Sequence, residues 1–236
     1  TDLVNDIEFL DFDTEVFGFI DPDVGLDVTQ FGGPTGLSAE ELREFVEVYI
    51  AYFDRAPDAL GLYFYGTAFA NDTSLEDSAQ TFVNSAEYAA TYPASLSNLE
   101  FTTEVYKNVL GRDPDKSGLD FWVPLLDSGA VTKGFAIVEI LKGAKAPSPE
   151  GTDPDVRDQK LLDQAYLASK TDVGVYFAVT KGMSDVANAT SAMQAFGDQS
   201  VSDIAGAAAA IDGFYADALD PTTGEFLMPL VGVVDG

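Results

Sequence analysis

Y-F-D-R-A-P-D-A-L-G-L-Y-F-Y, residues 52–65, returns 57 positions later as V-L-G-R-D-P-D-K-S-G-L-D-F-W, residues 109–122. Arg55, Pro57, Asp58, Gly61, Leu62 and Phe64 match Arg112, Pro114, Asp115, Gly118, Leu119 and Phe121, and upstream Tyr49 matches Tyr106. Tyr65 stands opposite Trp122, the single Trp of the chain. The phase holds downstream, where Ala79 pairs with Ala136 and Val83 with Ile140. Self-similarity at a fixed offset marks a repeated supersecondary unit that buries its apolar face against a neighbour.

The chemistry of the unit follows from its residue types. A helix ends near Phe53 or Leu110, and the Arg that follows faces the negative end of the helix dipole. Pro57 or Pro114 then opens the next helix in its first turn, where a missing N–H costs nothing. Asp58 and Asp115 share that turn, and Gly61 and Gly118 let the two helices approach. Two of the four Arg in the chain occupy this one repeat position. Either each locks its corner by pairing with a local carboxylate, or the two form a ligand-binding pair.

Outside this unit the periodicity is mostly helical. Ser38-Ala-Glu-Glu41 has the form of a capping box, followed by Leu42, Phe45, Val46, Tyr49, Tyr52 and Phe53 at i, i+3, i+4 spacing. Ser74-Leu-Glu-Asp77, Ser97-Asn-Leu-Glu100 and Ser200-Val-Ser-Asp203 read as further starts. The fold class is therefore mainly α: a multi-helix bundle built on two helix-turn-helix repeats, with short extended segments at both ends. The expected parts are an extended segment at 1–36, the duplicated unit at 37–146 (copies 42–88 and 99–145), a helical part at 147–220 and an extended tail at 221–236. Lys145 to Asp153, with Pro147, Pro149 and Gly151, is the linker. Helices are expected over 155–181, 184–196 and 200–219.

Composition removes whole classes of chemistry. Forty Asp+Glu against 12 Lys+Arg give a net charge of −28, and His and Cys are absent. No Ser-His-Asp triad, Cys nucleophile, zinc finger or thiol redox pair can be built. Phosphate backbones and anionic lipid are repelled, so nucleic acid is no partner and membrane insertion is not expected. Yet 46% hydrophobic and 12% aromatic residues are too many for an acidic disordered tail. The absence of Cys fits secretion without disulfide chemistry, and the carboxylate excess fits a saline or Ca²⁺-rich exterior. The opening T-D-L-V-N-D-I-E has neither Met nor the zones of a signal peptide, which reads as a processed product or a piece of something longer.

Any metal would be a hard, oxygen-ligated cation. Asp113, Asp115 and Ser117, followed by Gly118, have the early spacing of an EF-hand loop, but Pro124 stands where the bidentate Glu belongs. Asp21, Asp23 and Asp27 alternate on a Gly-containing stretch. No cofactor is required, and Ca²⁺ is the ion these donors admit. Paired carboxylates for glycoside hydrolysis are the obvious enzymatic option, though 40 acids make some suitable pair unavoidable. Tyr49, Tyr52, Phe53, Tyr63, Phe64 and Tyr65 either stack sugars or form core. No P-loop, Rossmann fingerprint or G-x-S-x-G elbow occurs.

Tyr106, Arg112, Pro114, Asp115, Gly118, Leu119, Phe121 and Trp122 resemble the hallmark of a bacterial domain-of-unknown-function family, number 4214. F-V-N-S-A-E-Y at 82–88 is similar to that family's helix ending in Ser-x-Glu-(Phe/Tyr). The second copy has L-K-G-A-K at 141–145 instead, and the first has Tyr65 where Trp is usual. The likeness covers residues 38–145, and 171–236 resembles the tail that follows such domains. More distantly the repeat is similar to phycobilisome linker domains. The resemblance implies a secreted or surface-attached bacterial protein exported by type I secretion, often beside calcium-binding repeats. The expected function is a noncatalytic module for attachment or assembly, binding protein or cell-surface polysaccharide. The alternatives are a polysaccharide-active enzyme and a Ca²⁺-stabilised spacer.

Overall fold

The computed structural model describes residues 33–70 and 74–230, together with the backbone of 9–10 and 26–27. Phe9–Leu10 (β1) pairs antiparallel with Leu26–Asp27 (β2), Phe9 facing Asp27. A 3-10 turn at Gly33–Gly36 leads into the helices. These are α1 (Ala39–Phe53), α2 (Ala59–Ala70), α3 (Leu75–Val83), α4 (Ala86–Thr91) and α5 (Asn98–Leu110). Then follow α6 (Lys116–Asp127), α7 (Lys133–Lys145), α8 (Pro154–Val175), α9 (Val186–Phe196) and α10 (Ile204–Ala218). The chain is mainly helical, as its periodicity requires.

The two copies start from the same capping chemistry. At α1 the Ser38 Oγ accepts the Glu41 N–H at 3.2 Å, and Glu41 Oε2 accepts the Ser38 N–H at 2.8 Å. Ser97 and Glu100 repeat both bonds at α5 with the same distances. Each first helix ends in a left-handed residue, Asp54 at φ 51° and Gly111 at φ 65°. Such a C-cap satisfies a terminal carbonyl while turning the chain sharply. The helices that follow, α2 and α6, then begin and end 57 residues apart, in register with the sequence repeat.

Three sequence expectations need correction. The start at Ser200–Asp203 is late: Asp203 itself caps α10, accepting the Gly206 N–H at 2.8 Å, while Ser200 Oγ donates to Asp198. The helix expected to reach 181 loses α geometry after Val175 and closes as a π-helical turn at Tyr176–Thr180. The tail up to Leu230 forms no strand. It lies across that turn, Met228 N–H donating to the Gly182 carbonyl and Leu230 N–H to the Val179 carbonyl. The extended reading of 1–36 falls mostly outside the described residues.

One continuous apolar core runs from Leu37 to Leu230, so α8, α9 and α10 share it with the repeat helices. A polar network crosses it where α1 ends. Asn108 Nδ2, on α5, donates to the Ile50 and Ala51 carbonyls, and the Tyr92 hydroxyl donates to Ala51 as well. Lys170, on α8 and only 3% exposed, donates to the Asn108 carbonyl at 2.7 Å, its Oδ1 at 3.1 Å and Asp54 at 3.2 Å. Burial pushes this lysine below its ordinary range, and Asp54 pulls it back. Terminal helix carbonyls have no partner of their own, and leaving them unmet inside the core is expensive. Asn108→Leu should therefore cost about 1–3 kcal/mol, because it removes the amide's bonds to the Ile50 and Ala51 carbonyls and one of the three acceptors of the buried Lys170 ammonium. Urea denaturation followed by circular dichroism measures this, and a loss under about 1 kcal/mol would show the network to be dispensable.

Candidate functional site

The repeated corner is built the same way twice. Asp58 directly precedes α2, and its Oδ1 accepts the Gly61 N–H at 2.7 Å; Asp115 caps α6 through Gly118 at 2.8 Å. The two Asp are thus N-caps, and Pro57 and Pro114 stand just before them, outside the first turn where the sequence reading put them. A Cβ on Gly61 would lie 2.7 Å from the Tyr49 hydroxyl, and one on Gly118 would lie 2.6 Å from that of Tyr106. The glycines are there so that the repeated Tyr can reach across the corner. Even the next aromatic pair is reproduced. Phe64 and Tyr65 meet edge-on at 5.0 Å, Phe121 and Trp122 at 4.9 Å, both at 88°.

Each Arg sits over its Tyr, at 5.0 Å for Arg55 on Tyr49 and 5.6 Å for Arg112 on Tyr106. Each also donates to the carbonyl of the next residue. The carboxylate on which each Arg forks is distant in sequence, and Arg55 has a local carboxylate as well. Arg55 forks onto Glu87, at the start of α4, and also reaches Asp58 at 3.2 Å. Ser85 caps α4 through the Tyr88 N–H, so the Ser-x-Glu signature has a physical meaning: the Ser begins the helix that carries the Glu to the Arg.

In the second copy α7 runs on to Lys145 and no such helix forms. Asp163 of α8 takes the role, accepting Arg112 Nε at 2.7 Å and Nη2 at 2.6 Å. Gln159 and Gln199 donate to the same carboxylate at 2.9 and 3.0 Å. Burial works against the charge on Asp163, but Arg112, Gln199 and Gln159 outweigh it and hold the carboxyl below its usual range. Asp163 was not anticipated. Its signal was present in the buried stripe Asp163, Tyr166, Leu167, Lys170, where two charged residues occupy a core-facing helical face.

Beside this second corner lies an open groove of about 490 Å³, with Tyr106, Leu110, Trp122 and Ile140 on its apolar floor. It lies where the copies differ at a core position. In the first, Phe82 is 1% exposed and packs its ring at 5.3 Å from Tyr49, 4.9 Å from Phe53 and 5.1 Å from Tyr65. The position 57 residues on is Glu139, whose carboxylate pairs with Lys142 at 3.2 Å on the surface. The counterparts of those three rings, the half-buried Tyr106 and Trp122 and the buried Leu110, have no ring from α7 over them and line the groove. Gln159, Lys160 and Asp155 of α8 form the opposite wall.

The remaining sequence candidates separate cleanly. Asp115 and Ser117 meet at 2.6 Å within the α6 cap, while Asp113 is exposed, with Lys107 at 3.8 Å. Hydrogen bonds from Ser117 and Gly118 hold the Asp115 carboxyl below its usual range. Among the described residues no group of three or more His, Cys, Asp or Glu side chains is placed to hold a metal ion. Asp21 and Asp23 lie outside the described residues, and Asp27 is described only by its backbone pairing with Phe9. Of the aromatic cluster, Tyr49, Tyr52 and Phe53 are core, Tyr63 and Tyr65 half-buried and Phe64 exposed. No described helix is long and apolar enough to cross a membrane.

The class these observations define is a helical protein organised on a duplicated Tyr–Arg–Asp–Gly corner. Residues 79–145 match the family described as "Domain of unknown function (DUF4214)", which bears out the resemblance over α3 to α7. No curated protein and no solved structure matches the chain.

The corners differ in depth, and the cost of opening them should differ too. Arg55 is 3% exposed and Arg112 more open, with 19% of its side chain exposed. Arg55→Ala should destabilise by about 3–5 kcal/mol and Arg112→Ala by about 1–3 kcal/mol, as read from chemical denaturation. The depressed Asp163 carboxyl contributes stability that is present above its unfolded pKa near ~4 and lost as pH falls through the lower folded value. Asp163→Asn should flatten that part of the acid limb; an unchanged limb would mean the pair carries no linkage.

Proposed function

We propose that the chain is a noncatalytic helical module of a secreted or cell-surface bacterial protein, serving attachment or assembly through contact with protein or surface polysaccharide. The observation that carries this reading is the groove at the second corner. It offers Trp122 and Tyr106 beside Gln159 and Lys160, which is aromatic surface next to hydrogen-bonding groups on rigid helices. Of the four carboxylates that line it, Asp115 and Asp163 at the Arg corner are committed to structural bonds and held in their charged form, and Glu139 pairs with Lys142. A glycosidase acid needs the reverse, a carboxyl kept protonated toward neutral pH. The net charge of −28 and the absence of Cys support an exterior location.

The test is retention on isolated cell-wall polysaccharide and on surface protein of the producing bacterium, with reducing ends measured in parallel. Retention should fall with Trp122→Ala while the cooperative melt persists, lowered by about 1–3 kcal/mol for the half-buried ring. Release of reducing ends above the blank would overturn the noncatalytic reading in favour of an enzyme.

A further inference from the structure

The internal repeat says what the groove is shaped to hold. In the first copy the same framework of Tyr, apolar residue and aromatic encloses a phenyl ring, that of Phe82, at centroid distances of 4.9–5.3 Å. In the second, Tyr106, Leu110 and Trp122 keep the framework and Glu139 leaves its centre vacant. Edge-on packing of aromatic rings adds to the value of the area they bury, so a ring entering this space gains both. We propose that the groove receives the aromatic side chain of a protein partner, carried on a basic segment, in the place that Phe82 fills in the first copy.

The basic flank follows from charge. Asp115, Glu139, Asp155 and Asp163 line the groove against Arg112 and Lys160, and the whole chain carries −28. A cationic segment is steered toward such a surface, whereas an acidic one is repelled. This inference rests on the attachment reading and narrows its partner from protein or polysaccharide to protein.

Trp122 is the single Trp and lies on the groove floor, so its fluorescence reports this site alone. The probes are the blocked peptide Lys-Lys-Phe-Lys-Lys, its counterpart with Ala in place of Phe, and chitohexaose. The Phe peptide should change Trp122 emission saturably, and the Ala peptide should not. Glu139→Phe, which supplies the missing ring from within, should weaken the Phe peptide by about tenfold or more. Gly143→Phe should do the same from the rim, where an added Cβ meets no atom within 4 Å; it decides the matter if Glu139→Phe fails to fold. Equal responses to the Phe and Ala peptides, no response to the Phe peptide, or indifference to a folded variant of either kind would overturn the proposal. A Trp122 response to chitohexaose alone would also overturn it while leaving attachment intact, whereas glycan hydrolysis would remove the attachment reading itself.

Discussion

A guanidinium forked onto a carboxylate fixes each corner of this protein, and the rest of the arrangement depends on that pair being made. The Arg follows the end of one helix and lies on the Tyr that the helix projects. Its partner carboxylate is brought by a helix from elsewhere, α4 for Arg55 and α8 for Arg112. A buried charge without its counterpart is strongly unfavourable, so the distant helix has to dock for the corner to close. The Asp that caps the second helix and the Gly that admits the Tyr hydroxyl then have fixed places. This explains why so short a motif recurs nearly intact while its surroundings diverge.

Much of this was legible in the residues. Capping boxes at Ser38 and Ser97 placed α1 and α5, and the 57-residue phase placed α2 against α6. The Arg–Tyr–Asp–Gly set was readable because each member is needed locally, by a cap, a close approach or a helix end. The carboxylate partners were not readable, since a long-range ion pair leaves no spacing in sequence. Forty acids hid the two that mattered. The groove was hidden for another reason: it centres on a difference, Phe82 against Glu139, whose meaning appears only once the rings around Phe82 are seen. The late start of α10 shows a third limit, because Ser200 and Asp203 are both good caps and packing chose between them.

The segment that matches the family, 79–145, runs from the middle of α3 to the end of α7 and is out of phase with the structural unit. It includes Glu87 but not Arg55, and Arg112 but not Asp163. Both ion pairs therefore cross its boundaries. The segment is a sequence unit whose two charged halves are completed by what lies on either side.

The helix α8 gives the architecture its end. Its Asp163 answers the second corner, while its Lys170, seven residues on, binds the close of the first helix of the first copy. One 22-residue helix thus meets both units at once. Where the first copy supplies its own Glu87 to Arg55, the second is completed from outside the repeat, by α8.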